Sequence, residues 1–179
     1  VPCCARARLG LLMMLPRIQL SLALASDEPY AIIRSSMTNT NDTIAAIATA
    51  PGIGAISIVR LSGPQSTEIA DKCFRCNGAK PSEREPNTFI HGYVTGEWEG
   101  GDERTADIDE VLLLVYRAPH SYTREDVVEF QGHGGTVCGH HILRRRLANG
   151  ARLAEPGEFT RRAFLSGRID LIQAEGVAD

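Results

Sequence analysis

The sequence lacks several features that would assign it to a simple class of protein. Its formal net charge of −3 gives no overall basic surface for nucleic acid, although a partner or another segment could supply one. A membrane span is not expected, because Pro16 and Arg17 interrupt the apolar run of residues 9–15. Five cysteines without regular spacing argue against a disulfide framework and fit a reducing compartment.

Motifs for phosphate and for metal are also missing. Pro51-Gly-Ile-Gly54 is not followed by Gly-Lys-Ser/Thr, and no Walker-type motif occurs in the chain. Cys73-Phe-Arg-Cys76 is a single CxxC without a second pair, so neither a zinc site nor a redox site is expected. Neighbouring histidines on a helix point about 100° apart, which makes His140 and His141 poor joint ligands. We predict no metal site and no nucleotide hydrolysis by these 179 residues.

The chain is long enough for one domain with a real core, and its 23% charged and 43% apolar residues are typical of a globular protein. Residues 1–36 differ from the remainder, since Arg6 and Arg8 precede an apolar run as in targeting peptides. Met37 is followed by a polar leader and a strand pattern, as at a natural start codon. We therefore interpret 1–36 as an upstream extension or disordered tail, with organellar targeting as the alternative.

Hydrophobic periodicity predicts strands and helices in mixed order, which indicates an α+β fold around a mixed sheet. The segment 111–116 is almost wholly apolar and is predicted to be a central strand buried on both faces. Segment 96–107 is predicted to be a surface excursion. The other predicted strands are 43–49, 55–61, 89–95 and 126–131, and the predicted helices are 63–73, 137–147, 156–165 and one capped by Asp170.

A carboxylate inside the last predicted strand marks a candidate site. Glu129 lies between Val128 and Phe130, and a buried acid there needs a partner or a ligand. Gly132 to Gly135 then allow close approach of the backbone before a helix begins near Thr136. We interpret the acid and the glycine turn as the edge of a pocket. An ion pair between Glu129 and a nearby arginine, for example Arg60, is the alternative.

Three blocks of the sequence resemble the N-terminal region of the tRNA modification GTPase family MnmE, also called TrmE. They occur in the family's order over residues 42–179. The blocks are Asp42-Thr-Ile-Ala-Ala-Ile-Ala-Thr-Ala-Pro-Gly-Ile-Gly-Ala-Ile-Ser-Ile-Val-Arg-Leu-Ser-Gly63, Ala118-Pro-His-Ser-Tyr-Thr-Arg-Glu-Asp-Val-Val-Glu-Phe-Gln-Gly-His-Gly-Gly135 and Pro156-Gly-Glu-Phe-Thr-Arg-Arg-Ala-Phe-Leu-Ser-Gly-Arg-Ile-Asp-Leu-Ile-Gln-Ala-Glu175.

The resemblance implies a domain similar to the folate-binding domains of aminomethyltransferases. Residues 37–154 would bind a 5-formyl-tetrahydrofolate-type cofactor and form a homodimer, and 155–179 would begin a truncated helical domain. The whole family member is a cytoplasmic GTPase. With a flavoprotein partner of the MnmG (GidA) type, it modifies C5 of the wobble uridine of tRNA. GTP, Mg and K would bind only in the missing GTPase domain.

Site residues carry over position by position. Glu129 matches the family's acid for the folate head group, and Arg60 matches its arginine. Arg168 falls where many members have lysine, and Arg124 replaces a glycine. A carboxylate can accept both N–H donors of a pterin, at roughly 1.5–3 kcal/mol for each charge-assisted bond. Arginine suits the glutamate tail or the ligand's carbonyl oxygens.

Two other functions remain open on the sequence. One is a stand-alone folate-dependent protein of the aminomethyltransferase type. The other is a dimerisation scaffold that has lost its ligand. Taken alone, Arg60 would be interpreted as a solvated strand end and Arg168 as a surface charge.

Overall fold

A seven-stranded mixed sheet organises the part of the chain that this computed structural model describes, residues 41–96 and 106–177. The predicted extension over 1–36 and most of the predicted excursion over 96–107 lie outside those residues. In chain order the strands are β1 Ile44–Ile47, β2 Ile56–Ser62, β3 Phe74–Arg75, β4 Thr88–Gly96, β5 Ala106–Tyr116, β6 Val127–His133 and β7 Arg152–Leu153. Their order in the sheet is β3-β4-β5-β6-β2-β1-β7, and every neighbouring pair is antiparallel except β1–β7.

Helices occupy the connections between the strands. They are α1 Ser66–Cys73, α2 Thr136–Ala148, α3 Glu158–Leu165 and α4 Leu171–Glu175, with a 3₁₀ turn at Pro81–Glu83. The predicted cap is confirmed, because the Asp170 carboxylate accepts the backbone N–H of Gln173 at 2.8 Å. Helix α1 begins later than predicted, since Gly63 and Pro64 form a turn before Ser66. The mixture of helices with a largely antiparallel sheet is consistent with the predicted α+β class.

The core lies between α1, α2 and one face of the sheet. Alternation along the strands sends every second side chain to this face, as period-2 geometry requires. Phe74 and Phe130 meet edge to face there, with ring centroids 6.2 Å apart. The largest fully buried apolar strand residues on this face are Val59, Leu61, Val94, Val111, Leu113, Val115, Val128 and Phe130.

Strand β5 corrects one prediction. The segment 111–116 is not buried on both faces, because Leu112 is 43% exposed while its neighbours Val111 and Leu113 are buried. Helices α1 and α2 cover only the Val111 side of the strand. An unbroken apolar run therefore belongs here to an antiparallel strand whose second face is partly open.

One charged side chain lies within the core. Arg146, in the last turn of α2, has no exposed surface, and its guanidinium carbon stacks 3.7 Å from the centroid of the Phe130 ring. Within the described part of the chain, none of its three nitrogens has a hydrogen-bond partner. Burial lowers the pKa of Arg146 to about 10, and the nearby Cys73 thiol opposes that shift.

The helices of residues 41–96 and 106–177 include none that is long and apolar enough to cross a membrane.

Candidate functional site

The register of the sheet places two predicted site residues face to face. Strands β2 and β6 pair antiparallel with Arg60 directly opposite Glu129. The Nε of Arg60 donates to Oε1 of Glu129 at 2.7 Å, and the side chains are 28% and 12% exposed. The acid inside the strand therefore has a cross-strand partner, which is the ion-pair alternative that the sequence left open.

Aromatic rings fix the Arg60 guanidinium in place. Tyr122 and Phe159 each lie with their ring centroid 5.7 Å from its central carbon. Such cation–π contacts hold a guanidinium while leaving its terminal N–H groups available. Tyr122 belongs to the loop before β6, and Phe159 belongs to α3. The orientation of Arg60 thus depends on both segments.

A cavity of about 810 Å³ lies beside Glu129 on the sheet face opposite the core helices. Its walls combine the aromatic and apolar residues Tyr116, Pro119, Tyr122 and Val127 with the polar residues Asn87, His120 and Ser121. Its charged groups are Glu129, Arg124 and Arg168. Burial, followed by the charge of Glu129, raises the pKa of Tyr116, so its hydroxyl remains a donor at neutral pH.

The structure therefore brings together two of the three predicted site residues in one cavity, Glu129 and Arg168. Arg60 does not line it and instead borders a second cavity of about 660 Å³ between β1 and the start of α3. Tyr122 borders both cavities. Arg60 acts on the first cavity through its ion pair with Glu129.

The predicted glycine turn lies apart from this cavity. Gly134 donates its N–H to the carbonyl of Ala55 at 3.0 Å, and a Cβ on Gly134 would overlap the Gly54 carbonyl. The predicted close approach of the backbone is therefore confirmed, but its partner is the β1–β2 turn. A strand rises about 3.3 Å per residue, so the turn is displaced along β6 from Glu129. The acid and the glycines do not form one pocket edge.

A buried ion-pair cluster fixes α3 against the sheet. Arg162, only 7% exposed, contacts the carboxylates of Asp42 at 2.5 Å, Glu125 at 3.1 Å and Glu158 at 3.0 Å. Arg152 also binds Asp42 at 2.7 Å and Glu158 at 2.6 Å. This cluster was not predicted from the sequence, although the i,i+4 spacing of Glu158 and Arg162 was a readable sign of part of it.

The cluster shifts the ionisation of its central acid. Burial raises the pKa of Glu158, but hydrogen bonds from Arg152, the Glu155 backbone and Arg162 outweigh burial and lower that pKa to about 2. Glu158 is therefore charged at any ordinary pH. Its charge keeps the N-terminus of α3 beside β7 and β1.

Further contacts join the cavity loop to α3. The Tyr122 hydroxyl and the Thr160 Oγ1 lie 3.1 Å apart and share a hydrogen bond. Ser62 donates to Glu125 at 2.6 Å, and Glu125 also contacts Arg162. The loop that forms one wall of the cavity is thus fastened both to β2 and to α3.

No group of three or more cysteine, histidine or acidic residues that could hold a metal occurs in residues 41–96 and 106–177. Cys73 is buried in the core, and Cys76 is partly buried.

Comparisons with known proteins place this sequence in a family. Residues 43–168 match the family described as GTP-binding protein TrmE N-terminus. The chain is 53% identical over 138 residues to a tRNA modification GTPase MnmE of Listeria innocua. The matched region covers 77% of this chain and 28% of that protein. It is 55% identical over 139 residues to the MnmE of Geobacillus kaustophilus, covering 77% and 29%. The chain thus spans less than a third of the length of these relatives. It belongs to the TrmE N-terminal family.

Proposed function

We propose that this chain is the tetrahydrofolate-binding and dimerising N-terminal region of a tRNA modification GTPase. The observation that carries the proposal is the cavity with Glu129 on its sheet wall. Its volume of about 810 Å³ falls within the range of roughly 300–1,000 Å³ for small-molecule sites. Aromatic side chains beside polar donors and acceptors suit a flat heterocycle with polar edges.

Glu129 is prepared to receive the pterin head group. Among the described residues, Arg60 is its only hydrogen-bond partner, and that bond uses Oε1. A carboxylate has about four acceptor positions on its two oxygens. Glu129 can therefore keep the Arg60 bond while it accepts the 2-amino group and the ring N–H of a pterin.

The wider role follows from the relatives. Both named relatives are tRNA modification GTPases. We propose that the protein containing this region acts in the cytoplasm on C5 of the wobble uridine, with an MnmG (GidA)-type flavoprotein. GTP, Mg and K would bind in sequence that these 179 residues do not contain, because they lack a Walker motif. The likeness to aminomethyltransferase folds, and the division into 37–154 and 155–179, are part of this proposal.

Homodimerisation is supported by apolar side chains outside the core. Ile56 is 57% exposed, Phe89 is 75% exposed and Leu112 is 43% exposed. Aromatic residues are enriched in the cores of protein interfaces, and interfaces between copies of a chain are more apolar than the rest of the surface. Sedimentation velocity tests this part of the proposal, and a monomer at all concentrations would contradict it.

Calorimetric titration with 5-formyl-tetrahydrofolate tests the cofactor. We expect binding by this chain and a loss of at least about a hundredfold in affinity for Glu129→Ala, since two charge-assisted hydrogen bonds disappear. Glu110→Ala is the matched control, because Glu110 is an exposed acid of β5 outside the cavity.

The outcomes separate the alternatives. No binding by the wild-type chain at high micromolar ligand contradicts the cofactor proposal and leaves a dimerisation scaffold. Normal binding by Glu129→Ala shows that the head group lies elsewhere. Circular dichroism checks that the variant is folded, which we expect because Arg60 can reach water after losing its partner.

A further inference from the structure

We propose that Arg124 and Arg168 form an anion-binding mouth of the Glu129 cavity, and that Arg124 selects ligands with a dicarboxylate tail. The inference rests on the proposed function. It assigns the glutamyl end of the reduced folate to two arginines, and it gives a role to Arg124, which stands where the family resemblance implies a glycine.

The two arginines come together from different segments of the chain. Arg124 belongs to the loop before β6, and its Nη1 donates to the carbonyl of Ser166 at 3.1 Å. A Cβ built on Gly167 would lie 3.8 Å from the same nitrogen. Arg168 is the next residue, and it lines the same cavity as Arg124. The Arg124 guanidinium is therefore held against the segment that carries Arg168.

Neither arginine has a carboxylate partner among the described residues. Within residues 41–96 and 106–177, Arg124 donates only to a backbone carbonyl, and the Arg168 side chain makes no hydrogen bond or ion pair. Six of the twelve arginines in the described part of the chain behave differently and pair with an acid. These are Arg60, Arg75, Arg117, Arg152, Arg161 and Arg162. The cavity thus carries two guanidinium groups that no acid of the described residues pairs with.

The positions of the charges fit a ligand with two unlike ends. Glu129 is 12% exposed and lies on the sheet at the floor of the cavity, whereas Arg124 and Arg168 are exposed. A donor-rich head would bind the buried acid, and the α- and γ-carboxylates of a glutamyl tail would bind the two guanidinium groups. Glu129 disfavours a ligand that is anionic throughout, such as a nucleotide phosphate.

The backbone at Arg124 is a second sign of function. Its φ of 60° lies in the left-handed region, where a Cβ is unfavourable and glycine is relaxed. A strained conformation that persists at a ligand cavity is the kind of outlier from which a functional role is inferred. Here the side chain supplies a charge that glycine lacks.

The test compares two ligands and two changes of charge by calorimetric titration of the chain. The ligands are 5-formyl-tetrahydrofolate, which has the glutamyl tail, and tetrahydrobiopterin, which has a reduced pterin head without it. Arg124→Gln should lower the affinity for 5-formyl-tetrahydrofolate about tenfold, as expected for the loss of one charge-assisted contact. It should change the affinity for tetrahydrobiopterin less than about twofold. Arg124→Gly should give the same pattern with a relaxed backbone.

Arg84→Gln is the matched control. Arg84 also donates to a backbone carbonyl, that of Ala79 at 3.1 Å, and it lies outside the cavity. The Arg84→Gln chain should bind both ligands with the affinity of the wild type.

Each remaining outcome has a definite meaning. If Arg124→Gln lowers the affinity for both ligands equally, or for neither, Arg124 has no role in tail recognition. The proposed function stands in that case. Equal affinity of the wild-type chain for the two ligands also overturns it. A wild-type chain that binds neither ligand refutes the proposed function, and this inference with it.

Discussion

Replacing the buried Arg146 with methionine should stabilise the fold. The arginine side chain has no exposed surface, and its Nε, Nη1 and Nη2 lack hydrogen-bond partners within the described residues. Methionine has a similar length, keeps the contact with Phe130 and brings no donors that need acceptors. The substitution thus removes a desolvated charge without opening a large cavity.

The magnitude follows from the pKa shift, and the cost of the unpaired donors, which has the same origin in burial, agrees with it. A folded-state pKa of about 10 against an ordinary value of 12.5 corresponds to roughly 3 kcal/mol disfavouring the charged form in the core. Each unpaired buried donor costs about 1–3 kcal/mol, and the stacking on Phe130 returns about 2 kcal/mol. The net value is again a few kcal/mol. We expect Arg146→Met to raise the free energy of unfolding by about 3 kcal/mol at neutral pH.

The same reasoning predicts how the gain depends on pH. The folded state binds this proton less tightly than the unfolded state, so the penalty is complete below pH 10 and is relieved as the pH rises from about 10 towards 12.5. The difference in stability between Arg146→Met and the wild type should therefore shrink above about pH 10.

Urea unfolding followed by circular dichroism measures the effect. Arg84→Met is the control, because Arg84 is only partly buried and its replacement should change stability by less than about 0.5 kcal/mol. An Arg146→Met chain that is no more stable than the wild type, at an unchanged dependence on urea, would refute the reasoning.

Two further predictions concern the ion-pair cluster and the glycine turn. Glu158→Gln should destabilise the fold by on the order of 3 kcal/mol at neutral pH. Because the folded-state pKa of Glu158 is depressed to about 2, its contribution is complete above about pH 4.5 and is lost as the pH falls towards 2. Between about pH 4.5 and 2, the free energy of unfolding should therefore change less with pH in Glu158→Gln than in the wild type. The same dependence on pH in both chains would contradict this prediction. Gly134→Ala should lower stability by about 2 kcal/mol or more, since its Cβ would overlap the Gly54 carbonyl, whereas Gly54→Ala, with 3.6 Å to its nearest neighbour, should cost under about 1 kcal/mol. Thermal melts measure the loss of stability in both variants. Equal losses would show that neighbouring backbone shifts to remove the overlap at Gly134.

The sequence was sufficient to predict the strands and helices whose apolar residues recur with a clear period. Strands β1, β2, β4 and β6 and helices α2 and α3 lie within a few residues of their predicted positions. The two-residue strands β3 and β7 were not predicted, because two residues carry no periodicity. The exposure of Leu112 was also missed, since an apolar run alone does not tell which faces the helices cover.

For the site, local chemistry was readable and long-range geometry was not. Glu129 could be identified because an acid interrupts an apolar strand, and Arg60 could be considered as its partner. The bond from Arg162 to Asp42 spans 120 residues, so no local pattern predicts it. Arg146 did leave a sign in the sequence, because it continues the buried stripe of Gly139 and Ile142 at helical spacing.

The pairing of β1 with β7 has a consequence for the order of events during synthesis. Strand β1 can pair with β2 as soon as both have emerged, but its other edge waits for β7 and for Arg152, which lies 110 residues after Asp42. At a translation rate of about 5–20 residues per second, that edge stays open for roughly 5–20 s. An unpaired edge is a template for joining other nascent chains. The short strand β7 and the arginines of the ion-pair cluster thus close the second edge of β1 only after about 110 further residues have been made.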